Sequence, residues 1–304
     1  MAISTIYSQM FIMVLLMLVG YGLTKKEILN DIGANQITSI VLYVFGPAII
    51  IKAFLIPFTQ KQFIEILLCF VLSTIAIGVS IIIASLVFPK SKGLEKFGVV
   101  FSNAGFMGIP LVQGILGSYQ VFYLSIYIVV QNIFAWTYGI KCIDSDNMNF
   151  SLWKQLVNPS IIAFVIGIFL FLIQLPIPTA IIQTLDFLGN ANTPMAMILL
   201  GSFLAKTDLF FLLKEKMSYI VSLLRLVVIP VVMLILLSVL PKEYTDIKYV
   251  LLIVSSTPVA AMLTMFSQLY GKDVTYGAKI VSLSNILCLL TMPIILMIAS
   301  LIWG

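Results

Sequence analysis

Phe101-Ser102-Asn103-Ala104-Gly105-Phe106-Met107-Gly108-Ile109-Pro110 and, later in the chain, Ser255-Ser256-Thr257-Pro258-Val259-Ala260-Ala261 decide how this sequence is read. Each sets a polar cluster and then a helix breaker about ten residues into an otherwise apolar run. Thr257-Pro258 has the form of an N-cap followed by proline at the first helical position. Asn103 is likewise a favoured N-cap, with Gly105 and Gly108 loosening the backbone behind it. Unwound backbone inside hydrocarbon is tolerated only where it lines a cavity or is buried in protein. Both helices are therefore expected to be discontinuous at mid-membrane and to cross there. The competing reading is that Gly and Ser here allow close helix contact and that Pro258 only kinks its helix.

The surroundings fix the class. Of 304 residues, 61% are apolar and 10% charged, and the mean hydropathy is +1.15. A soluble domain carries about 45–50% apolar and about 25% charged residues. A water-soluble globule, a disordered chain and a nucleic-acid binder are excluded. No histidine is present, which removes Ser-His-Asp and Cys-His nucleophiles, HExxH metal sites and histidine proton relays. Cys69, Cys142 and Cys288 are odd in number and lack CxxC spacing, so neither a disulfide framework nor a zinc site is suggested. No cofactor and no metal are expected. The first apolar run begins almost at Met1 without a basic residue before it, and is read as a retained span rather than a secretory signal.

Ten apolar runs can each span a bilayer at roughly 20 residues per crossing. They are about Thr5–Leu23, Ile32–Leu55, Gln62–Phe88, Leu94–Gly117, Tyr119–Ile140, Leu156–Leu175, Thr179–Ala205, Met217–Leu240, Ile247–Tyr270 and Thr275–Trp303, numbered here as spans 1 to 10. With the amino terminus outside, the five inner loops hold Lys25 and Lys26; Lys90, Lys92 and Lys96; Lys141 and Lys154; Lys206, Lys214 and Lys216; and Lys272 and Lys279, which is 12 of the 17 positive charges. The opposite loops hold three, Lys61, Lys242 and Lys248. That asymmetry over short loops orients the chain in a plasma membrane (a bacterial inner membrane) with both termini outside. The longest inner loop begins like a calcium loop at Asp144, but Asn149 stands where the turn glycine belongs and Gln155 where the bidentate glutamate belongs. It reads as a solvated linker.

The two halves resemble each other. Gly20 and Gly167 are 147 residues apart, as are Pro47 and Pro194. The Phe88-Pro89-Lys90 and Leu240-Pro241-Lys242 ends are offset by 152, and Gly117 and Gly271 by 154. Nearly constant offsets that drift by single insertions suggest a duplicated five-helix unit. An odd number of spans forces the second copy in upside down, as in secondary transporters. The expected division is a first repeat over 1–141, a linker over 142–155 and a second, inverted repeat over 156–304. Chance is the alternative, because Gly and Pro are common in membrane helices.

A helix start leaves N–H groups unpaired and carries partial positive charge, which in a low-dielectric setting attracts a carboxylate. Two such starts, with Asn103 supplying amide donors, could hold an organic anion without a lysine. Span 5 carries Gln131-Asn132 midway, and the 154 offset sets Gln131 against Asn285 in span 10. Such amides either bond across helices or line a path. Arg225 lies deep in span 8, where an unpaired charge is costly; Asp186 and Glu65 are its candidate partners. It is either structural pairing or a coupling or gating group. Lys52 and Glu65 lie near span ends and can snorkel.

The run Ser102-Asn103-Ala104-Gly105-Phe106-Met107-Gly108-Ile109-Pro110-Leu111 resembles the signature of the auxin efflux carrier family, which groups plant auxin carriers with bacterial malate and malonate permeases. Pro47-Ala48-Ile49-Ile50, Pro194 with Gly201, Arg225 with Pro230, Thr257-Pro258-Val259-Ala260 and Gln131-Asn132 resemble it too, so the likeness covers essentially the whole chain. Plant members have proline just before the asparagine; here it is Ser102, which bears on how sharp the span 4 break is. The resemblance implies an elevator-like carrier: an all-α polytopic membrane protein with spans 1, 2, 6 and 7 as a scaffold, often a homodimer, and spans 3–5 and 8–10 as a moving transport domain. It implies substrate contacts from Asn103, Ala104, Gly105, Gln131 and Asn132 beside Ser256, Thr257, Pro258, Val259 and Ala260. Structural or coupling roles fall to Pro47, Pro110, Pro194, Arg225, Asp186, Glu65 and Asn285. Members lacking a large cytoplasmic loop are mostly bacterial.

The leading expectation is efflux or exchange of a small organic anion, with the lipid bilayer as the other partner and no nucleic acid. A sodium- or proton-coupled importer of the same architecture is the alternative. An intramembrane enzyme lacks a nucleophile or metal set, and a passive channel lacks charged rings.

Overall fold

The computed structural model describes residues 3–144, 159–206 and 215–304. Lys154, Lys214 and the linker beyond Asp144, with Asn149 and Gln155, lie outside the described residues. The described chain is helical: α1 (Ile3–Lys25), α2 (Asp31–Ala53), α3 (Gln60–Val87), α4 (Gly93–Val100), α5 (Ala104–Ile115), α6 (Ser118–Ile143), α7 (Pro159–Ile173), α8 (Thr179–Lys206), α9 (Lys216–Ser238), α10 (Thr245–Ser256), α11 (Met262–Leu269) and α12 (Val274–Trp303). Six of these, α2, α3, α6, α8, α9 and α12, are long and apolar enough to cross a membrane. Large apolar side chains stay exposed along them, Leu86 at 81% and Ile235 at 64% among them. In water that would be an aggregating surface; against lipid tails it is the matching one. The protein is an integral membrane protein.

Local chemistry sets the ends of the helices. Thr59 caps the start of α3, its Oγ1 accepting from the Gln62 N–H at 3.2 Å and donating to Gln62 Oε1 at 2.9 Å. Asn30 caps α2 and Asp273 caps α12 in the same way, through the N–H groups of Gly33 and Tyr276. α3 ends at Phe88, which the following Pro89 holds extended. Pro47, Pro110 and Pro230 each follow a π-helical turn (Val41–Phe45, Ala104–Gly108, Leu224–Val228). A proline in a helix removes one N–H and crowds the carbonyl four residues back; the wider turn before it moves that carbonyl out of the way. Pro194 sits inside α8 without one.

The tightest packing joins α1 to α8. A Cβ on Gly20 would come within 1.9 Å of the Ile198 carbonyl oxygen, and one on Gly201 within 1.8 Å of the Met17 carbonyl oxygen. Backbone therefore lies directly on backbone, as small residues permit in lipid. Gly167 of α7 lies under the Phe54 ring, which joins Phe122 and Phe171 in an aromatic cluster. Contacts between loops sort the helix ends into two sets. At one end Gln62 Nε2 donates to Tyr119 OH, Gln174 Nε2 to the Ile56 carbonyl and Trp303 Nε1 to Ser238 Oγ. At the other, Tyr276 OH donates to Glu95 and Lys272 lies 4.0 Å from Asp144.

Candidate functional site

The apolar runs of spans 4 and 9 are each broken. α4 stops at Val100 and α5 starts at Ala104; α10 stops at Ser256 and α11 starts at Met262. The two gaps meet as an antiparallel bridge, Ser102 opposite Val259. The Asn103 N–H donates to the Pro258 carbonyl at 2.8 Å, and the Ala260 N–H to the Phe101 carbonyl at 3.0 Å. Buried backbone groups must find partners, and here each gap satisfies the other.

Side chains complete the pairing. Gln131 of α6 accepts from the Ser102 N–H at 3.0 Å and the Ser102 hydroxyl at 2.7 Å, and donates to the Ser102 carbonyl at 2.9 Å. Ser284 of α12 does the same for the other gap, its hydroxyl accepting from the Val259 N–H at 3.1 Å. Cys288 Sγ–H donates to the Ser256 carbonyl. The serine at position 102 is part of this design: a proline there would have no N–H to give Gln131.

Arg225 closes the account. Fully buried in the π turn of α9, its guanidinium donates to five carbonyls: Val99 and Val100 at the end of α4, and Val254, Ser255 and Thr257 at the end of α10, at 2.9 to 3.3 Å. This corrects the expected carboxylate partners. Asp186 pairs with Lys52 across α2 and α8. Glu65 does not reach Arg225: it accepts from Tyr123 OH at 2.6 Å and lies 3.8 Å from the exposed Lys61 Nζ at the helix end. Two helix C-termini supply the negative potential that a carboxylate would.

Two further expectations are corrected. Thr257-Pro258 does not start a helix: Thr257 is the C-terminal cap of α10, its hydroxyl donates to the Val254 carbonyl, and α11 begins only after Ala261. Pro258 holds Thr257 extended (φ −70°, ψ 153°), and the bridge keeps the next residues so. Asn103 occupies the N-cap position of α5, yet its side chain caps nothing. Its Nδ2 is buried without a partner.

Among the expected substrate contacts, Gln131, Ser256 and Thr257 have side chains engaged with backbone carbonyls or N–H groups of the protein itself. Ala104, Asn132, Pro258, Val259 and Ala260 are buried beside them. Gly105, by contrast, is exposed, and a Cβ on it would meet nothing within 4 Å. Behind Asn103, then, the first turn of α5 borders open space. Asn285 Oδ1 is buried without a partner, as is Nδ2 of Asn192 on α8, a residue the sequence reading passed over within the polar stretch Gly189-Asn190-Ala191-Asn192-Thr193. α8 packs against that first turn of α5.

Two cavities open at the loop end that carries Tyr119. One, about 160 Å³, lies between Lys52, Asp186, Gln113, Asn190 and Tyr119. The other, about 250 Å³, lies between Lys61, Glu65, Tyr123, Glu243, Tyr244 and Asp246. There the neighbouring Glu243 carboxylate pushes the Tyr244 phenol up from its ordinary value. Neither cavity is lined by Asn103 or by residues 256–260. Gln113 of α5 bonds across the first cavity to Asn190 and Thr193 of α8.

Comparison with known proteins gives two findings. The model of the family described as "Membrane transport protein" matches residues 5–152 and 146–296. A protein of Methanocaldococcus jannaschii, described as an uncharacterized transporter, is 25% identical over 299 residues, covering 93% of this chain and 95% of its own length.

Proposed function

Since the chain belongs to the membrane transport protein family, the auxin efflux carrier group that its span 4 run resembles, we propose that it is a secondary carrier that moves a small organic anion, a carboxylate, out across the plasma membrane. The observation that carries this reading is the unpartnered, buried Asn103 Nδ2 at the start of α5. A buried donor without an acceptor costs about 1–3 kcal/mol. A protein keeps such a group where something else completes it.

The electrostatics support the same reading. The starts of α5 and α11 flank one bridge, and each contributes roughly +0.5 of an elementary charge. The opposing C-termini are already neutralised by Arg225. The potential left over is positive and lies beside Asn103 and the open space at Gly105. In this reading Asn103, Ala104, Gly105 and Asn132 face the anion, with Asn285 on the opposite side. Gln131, Ser256, Thr257, Pro258, Val259 and Ala260 hold the crossing in shape.

We take the chain as ten spans in two inverted five-helix units, both termini outside. The constant offsets between Gly20 and Gly167 and between Pro47 and Pro194 support the duplication. α2 packs on both α7 and α8, and α1 lies on α8 through Gly20 and Gly201, which supports reading these four helices as a scaffold. Export of one negative charge gains about 2.3 kcal/mol per 100 mV of inside-negative potential, so efflux needs no coupling ion.

The test is a thermal-unfolding screen of mono- and dicarboxylates on purified protein, followed by counterflow of each hit in proteoliposomes. The expected result is saturable stabilisation by one class of acid that disappears in Asn103→Ala, with counterflow of the same acid. Stabilisation that persists unchanged in Asn103→Ala removes Asn103 from the site, and hits that show no counterflow overturn the carrier reading.

A further inference from the structure

Among the described residues Arg225 is the most deeply buried charge, and no carboxylate forms a salt bridge with it. Five backbone carbonyls accept from it, from the ends of two different half-helices, and the Tyr127 side chain lies beside the guanidinium. Without the side chain these oxygens would line one buried, guanidinium-sized space between two helix C-termini. Each terminus carries about −0.5 of an elementary charge, so together they call for about one positive charge. In broken-helix carriers, unwound carbonyls and half-helix C-termini of this kind coordinate sodium. Hard monovalent cations favour such carbonyl-rich surroundings.

We propose that Arg225 is a tethered cation. Its guanidinium permanently fills a seat for a free monovalent cation, formed by the carbonyls of Val99, Val100, Val254, Ser255 and Thr257. The crossing therefore stays neutralised whether or not sodium is present, and the carrier works without a coupling cation. This deepens the carrier reading above and rests on it only for that last consequence; the seat itself is tested without any transported substrate.

The experiment measures thermal unfolding of wild type, Arg225→Ala, Arg225→Met and Arg225→Lys in choline, sodium, potassium and guanidinium chloride at equal, sub-denaturing ionic strength. Wild type is expected to unfold at the same temperature in choline, sodium and potassium, and slightly lower in guanidinium, which weakens every folded protein in proportion to its concentration. Arg225→Ala is expected to lose roughly 10 °C in choline, because a buried polar cluster is left unpaired. It should recover at least half of that along a saturating curve with guanidinium or sodium. Arg225→Met, which fills the space without charge, should not recover. The proposal is overturned if Arg225→Ala is indifferent to the cation, if Arg225→Met is rescued equally, or if sodium saturably stabilises wild type. Should Arg225→Ala not fold, the comparison in choline decides: Arg225→Lys must be clearly more stable than Arg225→Met, and equal stability overturns the proposal. Failure to find a transported organic acid would leave each of these readouts standing, so the two readings fail separately.

Discussion

The carboxamide of Gln131 straddles the backbone of Ser102, accepting from its N–H at 3.0 Å and donating to its carbonyl at 2.9 Å. One side chain thus does for an unwound residue what a neighbouring strand would do. Removing it in Gln131→Ala strands both backbone groups in a dry interior. The expected cost is about 2–5 kcal/mol, from unmatched groups at about 1–3 kcal/mol each. Thermal unfolding measures it. Gln131→Glu can reproduce both bonds only as the neutral acid, so it should lose less than Gln131→Ala at acid pH and more at alkaline pH, where a buried carboxylate faces the Ser102 carbonyl.

Asn103→Ala should behave in the opposite way. Its Nδ2 has no partner to lose, so the ligand-free protein is expected to stay within about 1 kcal/mol of wild type. Affinity for the stabilising acid should fall by roughly 10- to 100-fold, the worth of a hydrogen bond to a charged group. Titration of both proteins by thermal shift separates the effects. A large loss of ligand-free stability would mark Asn103 as a packing residue.

Gly201→Ala and Gly20→Ala place a methyl group into backbone at 1.8 and 1.9 Å. Neither carbonyl belongs to a flexible side chain, so α1 and α8 must separate. We expect a loss of about 3 kcal/mol or more, read as a lower unfolding temperature or loss of the monodisperse peak on size exclusion. Gly22→Ala is the control. Nothing lies within 4 Å of its Cβ, and helix propensity alone predicts a neutral to slightly stabilising change.

The Lys52–Asp186 pair is about one-third exposed on each side. Solvent screens it, and a double-mutant cycle should return a coupling of roughly 0.2–1 kcal/mol that shrinks in high salt. A coupling several times larger would show the cavity around it to be dry.

The positions of the two breaks were legible because a polar cluster followed by Gly or Pro has no place in a continuous lipid-spanning helix. What lies inside each break was not. Pro258 read as a helix start, since Thr-Pro is a strong N-cap pair; the bridge to Ser102 and the Ser284 hydroxyl hold the chain extended to Ala260 instead. Ser284 itself was hidden one residue before Asn285, at an offset of 153 from Gln131 rather than 154. Arg225 was sought against carboxylates because opposite charges are what a sequence displays. Carbonyls carry no letter in it. The usable signal was indirect: two broken helices create two C-terminal ends, and those ends together ask for a positive charge.

The bridge between Ser102 and Val259 stitches one half of the polypeptide to the other at a single depth. Because Asn103 and Ala260 each give their N–H across that seam, neither broken rod can slide or tilt without tugging its counterpart. A ligand held at Asn103, as we propose, would be gripped by both halves at once and would travel with the pair as one body.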